Sequence, residues 1–520
     1  MQKQIHDSSI NRDRSCALSH GTWRRVGAKL ACAGACALMV GQLLLPSVAL
    51  AAKWVNVGGT QYNKGAGDEA GTWSWDGADD MKLNGYDGAG ISAQGNLNIG
   101  VTGTNTVTAD SLQSAIEVKD GNLAITGEGT LNATAEPQKS RSAVKVECGS
   151  LAISGDVTLN ATAGTDTIAV SGDGKTGGDV DIRGANVNVT ATNKVPHTIG
   201  IHTRAGNITI NEGADVHVEA EANGGFGAVA VYAENISSEH GGCIAVDNAK
   251  LDAAARNANM LSVALYSFGG KDTYLSITNG ADVTLVASDS VEVLDGVWMR
   301  AQDGVSRVLV ENSSLTVRCG DGTGHSRKHG YGIYSQSGSQ SAIPRIDIIN
   351  SNVEVSGNAA AIYAVNQGDA APCLSIDGGS VVTTPAGGTV RKTAGNGLVI
   401  GTAGSSTIQD VRTSDEVARS VVISSGDAVE PGPAPQPGPA PTPTPQPGGG
   451  SGTAAPSATP TQASSTAAAA KPAAQATAAQ KSVGTLAATG DNAATAAAAL
   501  GIAGASVIGA GFVASKRRNR

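Results

Sequence analysis

A column of ring-bearing side chains is the feature of this sequence best suited to chemistry. Aromatic residues make up only 3% of the chain. Six ring-bearing residues nevertheless recur at intervals of 29 to 36 residues, each directly after an aliphatic residue: His202, Tyr232, Tyr266, Trp298, Tyr334 and Tyr363. Exposed tyrosine and tryptophan rings offer stacking faces to sugar rings and polar groups for hydrogen bonds. The column therefore predicts a ligand-binding stripe. The alternative is an aromatic ladder that stabilises a sheet by stacking, at about 0.5–1.5 kcal/mol per pair.

Polysaccharide cleavage would need different residues. Hydrolysis requires two carboxylates on one face, and elimination requires a carboxylate–calcium site beside a basic residue. Asp289, Glu292 and Asp295 are candidates, and residues 325–329 supply positive charge. Their spacing does not differ from that of ordinary surface charge. An enzyme, such as a lyase or hydrolase, is therefore only the alternative prediction, and no catalytic residue is assigned.

Two other patterns suggest ligands and are rejected. Residues 169–176 match a loose phosphate-binding loop, Ala-x-x-x-x-Gly-Lys-Thr, but residues 179–182 predict a strand where that loop needs a helix N-terminus. Asp173, Asp179 and Asp181 could surround a calcium ion, yet their spacing matches no known calcium loop. We predict neither a metal site nor a cofactor.

The ring column belongs to a longer repeat. A small residue, an aliphatic residue and a variable residue recur at solenoid-like intervals. The copies are Gly90–Ser92, Ala115–Glu117, Ala143–Lys145, Ala169–Ser171, Gly200–His202, Ala230–Tyr232, Ala264–Tyr266, Gly296–Trp298, Gly332–Tyr334, Ala361–Tyr363 and Gly397–Val399. Two further strand-like segments follow most copies, for example residues 123–125 and 131–133. Three short strands per repeat predict one turn of a parallel β-helix.

The corners and the alternation complete this prediction. Asn248, Asn279, Asn312 and Asn350 stand where strand two turns into strand three, and asparagine tolerates a left-handed backbone there. The aliphatic residue of each copy points inward, so the variable residue points outward. We expect an all-β, right-handed parallel β-helix of about ten to eleven coils. A β-sandwich array is the less favoured alternative because it would not return every third strand to the same register.

The first 51 residues have the layout of a signal peptide. Basic residues (Arg24, Arg25 and Lys29) precede an apolar run over residues 30–50, and small residues follow. Cleavage is predicted near Ala51, and an uncleaved membrane anchor is the alternative. The chain is therefore expected to be secreted.

The C-terminal part of the chain consists of a low-complexity segment, a short motif, an apolar run and a basic tail. Residues 429–485 are rich in Pro, Ala and Thr, which favours a disordered linker, and this segment resembles the wall-spanning stalks of anchored surface proteins. Then come an apolar run at 493–515, long enough for a membrane helix, and the basic tail 516–520. The pentapeptide before the run is Leu486, Ala487, Ala488, Thr489 and Gly490. It resembles the Leu-Pro-x-Thr-Gly sorting signal of sortase substrates in Gram-positive bacteria, with Ala in place of Pro.

The resemblance to a sorting signal implies cleavage between Thr489 and Gly490 and transfer of Thr489 to peptidoglycan. Membrane contact through the apolar helix of this sorting signal, which spans residues 486–520 as a whole, would then be transient. The segment between the two ends has far more acidic than basic residues, which argues against nucleic acid as a partner.

The start of the folded segment resembles a family of bacterial surface proteins with a carbohydrate-binding domain built as a right-handed β-helix. The resemblance rests on residues 54–59, 73–77, 83–88 and 95–99, which include Trp-Val-Asn-Val-Gly-Gly and Trp-Ser-Trp-Asp-Gly. It implies a glycan-related surface role without a catalytic residue. We therefore expect a β-helix domain at 52–428, with an N-terminal cap at about 53–88, that binds a glycan or a host surface or mediates adhesion. A passive structural spacer is the third alternative.

Overall fold

The computed structural model describes residues 51–426 except 110–113, 137–140, 173–177, 194–196, 236–240 and 321–329. The described chain is all-β and forms three long sheets in which, between the two ends, each strand pairs in parallel with the strand three places further along the chain. The predicted parallel β-helix is confirmed. No helix of the described residues is long and apolar enough to cross a membrane. The signal peptide (apart from Ala51), the linker and the sorting signal lie outside the described residues.

The strands are numbered in chain order and given in their order within each sheet. Sheet 1 consists of β2 (Thr60–Tyr62), β1 (Trp54–Val57), β7 (Ile91–Gln94), β10 (Ile116–Lys119), β13 (Val144–Glu147), β16 (Asp166–Ser171), β19 (His197–Thr203), β22 (Gly227–Asn235), β25 (Leu261–Gly269), β28 (Val293–Ala301), β31 (Tyr331–Ser337), β34 (Ala360–Val365), β38 (Gly397–Gly401) and β37 (Thr389–Thr393). Sheet 2 consists of β3 (Ala66–Gly67), β4 (Trp73–Trp75), β5 (Asp80–Asn84), β8 (Leu97–Thr102), β11 (Leu123–Gly127), β14 (Leu151–Ser154), β17 (Val180–Arg183), β20 (Ile208–Asn211), β23 (Cys243–Asp247), β26 (Thr273–Thr278), β29 (Val305–Glu311), β32 (Ile343–Ile349) and β35 (Cys373–Asp377). Sheet 3 consists of β36 (Val381–Thr384), β39 (Ser420–Ser424), β33 (Asn352–Ser356), β30 (Ser314–Cys319), β27 (Asp282–Ala287), β24 (Lys250–Arg256), β21 (Asp215–Glu221), β18 (Asn186–Thr192), β15 (Thr158–Ala163), β12 (Thr130–Thr134), β9 (Thr104–Thr108) and β6 (Asp87–Ala89).

The core is a narrow column of aliphatic side chains inside the three sheets. Leu123 and Ile125 of β11 pair in register with Leu151 and Ile153 of β14, and all four are buried. The same stacking repeats from coil to coil, so each coil covers the apolar face of its neighbour. Burying one such side chain stabilises the fold by roughly 1.5–3 kcal/mol. Small aliphatic residues therefore suffice for the core.

Asparagine residues make the predicted corners between sheets 2 and 3. Asn248, Asn279, Asn312 and Asn350 all have left-handed backbones, with φ between 45° and 57°. The Asn350 amide donates a hydrogen bond to Asn312 Oδ1 at 2.8 Å, which links successive coils. This prediction is confirmed.

Antiparallel strands close both ends of the β-helix. At the N-terminal end β1 lies antiparallel on β7, and at the C-terminal end β38 lies antiparallel on β34. The copy at Gly397–Val399 is therefore a capping strand and not an eleventh parallel coil, which corrects the repeat count for sheet 1. The sequence does not distinguish a parallel coil from an antiparallel cap, because an aliphatic residue such as Leu398 fits a strand of either direction. The caps protect sheet edges that would otherwise be open to pairing.

The later strands of sheet 1 contain a bend. β7, β10 and β13 have four residues each, whereas β22, β25 and β28 have nine. In β22 the consecutive residues Ala230 and Val231 both face the main core, while Val229 and Tyr232 pack together on the outside. In β28 the small residue of the repeat is Gly296. A Cβ atom at this position would collide with Val317 Cγ1 of β30. The bend thus brings sheet 1 close to sheet 3.

Candidate functional site

The six ring-bearing residues of the predicted stripe form one continuous stack on the outside of sheet 1. Each pairs in register with the next, from His202 to Tyr363. Ring centroids are 4.7 Å apart for His202 and Tyr232, 4.8 Å for Tyr232 and Tyr266, and 4.9 Å for Tyr266 and Trp298. These three spacings match the separation of adjacent strands, about 4.8 Å. The last two are wider, at 6.2 Å for Trp298 and Tyr334 and 5.7 Å for Tyr334 and Tyr363. We call these six residues the ring ladder.

The ring ladder is buried, which corrects the expectation of an exposed platform. None of the six residues is more than 9% exposed. The five aromatic rings other than His202 pack in a second apolar cluster, separate from the main core, together with residues before the bend such as Val229 and Val263. The ring faces contact one another and are therefore not available as stacking faces. The six side chains do point to the outer side of sheet 1, as predicted. The alternation of side chains along a strand does not show whether that outer side is covered.

In the fourth coil, the residue predicted for the outward column of the repeat is wrong. Val144 pairs with Ile168, and Lys145 pairs with Ala169. Ala169, and not Ser171, therefore stands in the column, directly before His202. A shift of two residues preserves the alternation of inward and outward side chains, so both alignments fit the sequence pattern.

A charged cluster surrounds the first ring of the ladder. His202 Nδ1 lies 3.2 Å from Asp166 Oδ2, and His202 Nε2 lies 3.6 Å from Glu234 Oε2. Arg204 also contacts Asp166, at 3.3 Å. Burial by itself lowers the pKa of His202, but the two carboxylates outweigh it, so the pKa is raised above 6.5. No local sequence pattern reveals this cluster, because Asp166 and Glu234 lie 36 and 32 residues from His202 along the chain.

Asp295 is a buried carboxyl group on the other side of the ladder. It is 0% exposed and stands on the outward side of β28, next to Tyr331 in the sheet. Asp295 Oδ1 accepts a hydrogen bond from the Tyr331 backbone N–H at 3.0 Å, while Oδ2 has no hydrogen-bond partner among the described residues. Burial raises the pKa of Asp295 from 3.8 to about 8. The carboxyl group is therefore mainly protonated at neutral pH.

A more accessible row runs beside the ring ladder, two positions further along each strand. Glu234, Phe268, Arg300 and Gln336 pair in register across four coils. Glu234 is 8% exposed, whereas the other three are partly exposed. The Arg300 guanidinium carbon lies 5.5 Å from the centre of the Phe268 ring. We call these four residues the margin. In the sequence they can be recognised only by their position, two residues after a ladder residue.

Among the described residues, neither the predicted catalytic candidates nor the predicted calcium candidates form a cluster of three side chains that could hold a metal ion. Asp295 is buried against the ladder, while Asp289 lies at a left-handed corner. Asp181 pairs with Arg183 at 2.7 Å. Asp173 and residues 325–329 lie outside the described residues. The described residues contain one compact carboxylate group, Asp76, Asp79 and Asp80, in which Asp76 accepts hydrogen bonds from its own turn. We assign no metal to it.

No protein-family model, curated protein or solved structure matches the chain.

Proposed function

We propose that this chain is a secreted, wall-anchored surface protein that binds a glycan along the margin. The observation that carries the proposal is the alignment of a partly exposed phenylalanine, an arginine and a glutamine in one register column. Phe268 is partly exposed and offers an apolar surface beside the Arg300 guanidinium, and Arg300 and Gln336 offer hydrogen-bond donors. This combination suits a sugar, which has apolar ring faces and polar hydroxyl edges. Adjacent positions are about 4.8 Å apart, so an extended chain of sugars would follow the β-helix axis.

The ring ladder takes a supporting role in this proposal. Its rings stack at 4.7 to 4.9 Å over the first four members and hold the strands that carry the margin. A rigid support lowers the entropic cost of binding because few side chains need to be ordered. The ladder residues thus act on the ligand through the margin, while their ring faces contribute to stability.

Anchoring is the second part of the proposal and rests on the sequence. The pentapeptide 486–490, the apolar run and the basic tail occur in the order of a sorting signal. Peptidoglycan would be the covalent partner, through sortase. The mature protein would then present the β-helix outside the wall on the linker at 429–485.

Glycan binding is tested with the mature chain, residues 52–489, on a glycan array. Phe268→Ser with Gln336→Ala should abolish binding, and Lys119→Ala should not, because Lys119 lies in the same row of an early coil, far from Phe268. Thermal melts of both variants should stay close to that of the parent chain.

Two results would contradict the proposal. Unchanged binding by the double variant would remove the margin as the site, and a blank array would favour a passive spacer. Product analysis on each bound glycan tests the alternative of a polysaccharide-cleaving enzyme.

A further inference from the structure

Arg300 stands out among the charged groups of the margin because it has no carboxylate partner among the described residues. The described ion pairs engage Arg183, Arg204, Arg256, Arg307, Arg345 and Arg391, but not Arg300. Its Nε atom is buried and has no hydrogen-bond partner in the described part of the chain. Its guanidinium lies over Phe268 instead. A partly buried cation without a counter-ion is costly, and an anionic ligand would offset that cost.

The nearest carboxyl groups are not available to Arg300. Glu234 lies two coils away in the same row and is close to His202 Nε2. Asp295 is on the same strand, but it lies on the other side of the ladder and is protonated at neutral pH because burial raises its pKa to about 8. The Tyr266 hydroxyl, which interacts with the guanidinium, is uncharged at neutral pH like any tyrosine, and burial raises its pKa further. The surroundings of Arg300 therefore favour a negative ligand.

We propose that Arg300 binds the carboxylate of an acidic sugar in the glycan. This inference rests on the proposed function and specifies its ligand class. A guanidinium binds a carboxylate with two parallel hydrogen bonds, which fixes the orientation of the sugar. The cation–π contact with Phe268 helps to position the guanidinium. Lysine has the same charge but neither the planar fork nor the stacking geometry, so it would not replace arginine.

The experiment compares matched pairs of polymers on the mature chain by calorimetry. Polygalacturonate, alginate and polysialic acid are each titrated beside their carboxyl-reduced, neutral forms. Because the carboxylate adds charge-assisted hydrogen bonds, at least one acidic polymer should bind at least about tenfold more tightly than its reduced form. Arg300→Gln and Arg300→Lys should both remove that preference. Arg256→Gln, the same change at an exposed arginine of sheet 3, should leave it intact.

The outcomes separate this inference from the proposed function. Equal binding of acidic and reduced polymers, or an intact preference in Arg300→Gln, would overturn the role of Arg300 while leaving glycan binding in place. Binding of neutral array glycans alone would also overturn the role of Arg300 and leave glycan binding in place. Absence of binding to every glycan would overturn both. Circular dichroism and melting temperature of each variant confirm that it is folded before titration.

Discussion

The rings of Tyr331 and Tyr334 lie 4.6 Å apart, although the two residues stand on opposite sides of the bend in β31. Side chains on the outside of a straight strand diverge or run parallel. Their contact therefore shows that the outer face of sheet 1 is concave at this bend. The concavity brings the ring ladder against residues such as Val263 and makes a second apolar core outside the β-helix.

The first prediction concerns the stability of the ring ladder. Tyr266→Ala should lower the free energy of unfolding by roughly 3–5 kcal/mol, because it removes a buried ring and leaves a cavity. Tyr266→Phe keeps the stack and should cost much less. Urea denaturation of the mature chain measures both. Tyr274→Ala, which removes a partly exposed ring from sheet 2, is the control. The buried-ladder account would be wrong if Tyr266→Ala cost no more than this control.

The second prediction concerns His202 and pH. Asp166 and Glu234 raise the pKa of His202 above its ordinary 6.5, despite opposing burial. The folded state thus holds the proton more tightly than the unfolded state. The resulting stability is fully present below about pH 6.5 and is lost as pH rises through the raised pKa.

His202→Gln does not titrate and serves as the reference. Between pH 6 and 9 the unfolding free energy of the parent chain should fall relative to that of the variant. The other groups facing the ring, namely Arg204, His197 and Tyr232, remain in both proteins. Equal pH profiles of the two proteins would show that Asp166 and Glu234 do not hold a proton on His202. NMR titration of the imidazole gives an independent value.

The third prediction concerns Asp295, whose pKa is raised by burial to about 8. The folded state keeps the proton while the unfolded state releases it near pH 4, so stability falls as pH rises from about 4 to about 8. The maximal slope is about 1.4 kcal/mol per pH unit.

Asp295→Asn removes this titration and should become progressively more stable than the parent chain over that range. Asp303→Asn is the matched control. The pKa of Asp303 is lowered chiefly by a hydrogen bond from Ser341, so its titration falls below this range. A constant stability difference between Asp295→Asn and the parent chain from pH 4 to 8 would show that Asp295 is ionised in the fold.

The fourth prediction concerns attachment to the wall. Thr489→Ala should shift the protein from the covalently wall-bound fraction to the membrane fraction, because sortase needs the Thr–Gly bond at 489–490. Immunoblots of fractionated cells measure the shift. Thr485→Ala, the same change directly before the pentapeptide, is the matched control and should leave the wall-bound fraction intact. An unchanged wall-bound fraction in Thr489→Ala would refute the sorting signal.

The sequence by itself was sufficient to predict the coil. Alternating aliphatic residues such as Leu123 and Ile125, and corner residues such as Asn312 and Asn350, depend on local backbone preference and on the inward direction of side chains. Both are properties of a few neighbouring residues, and they repeat in every coil. The repeat therefore identified three strands per turn and the outward direction of Tyr266 and Trp298.

Only the tertiary structure decided what the outward residues contact. The bend at Ala230 and Val231 closes the outer face over Tyr232, and the stack of coils brings Asp166 and Glu234 to His202. The register in the fourth coil and the reversal of β38 are likewise settled by pairing between distant segments. Periodicity gives the direction of a side chain but not the burial of the surface it faces. That burial depends on angles between strands, which arise only when distant residues pack together.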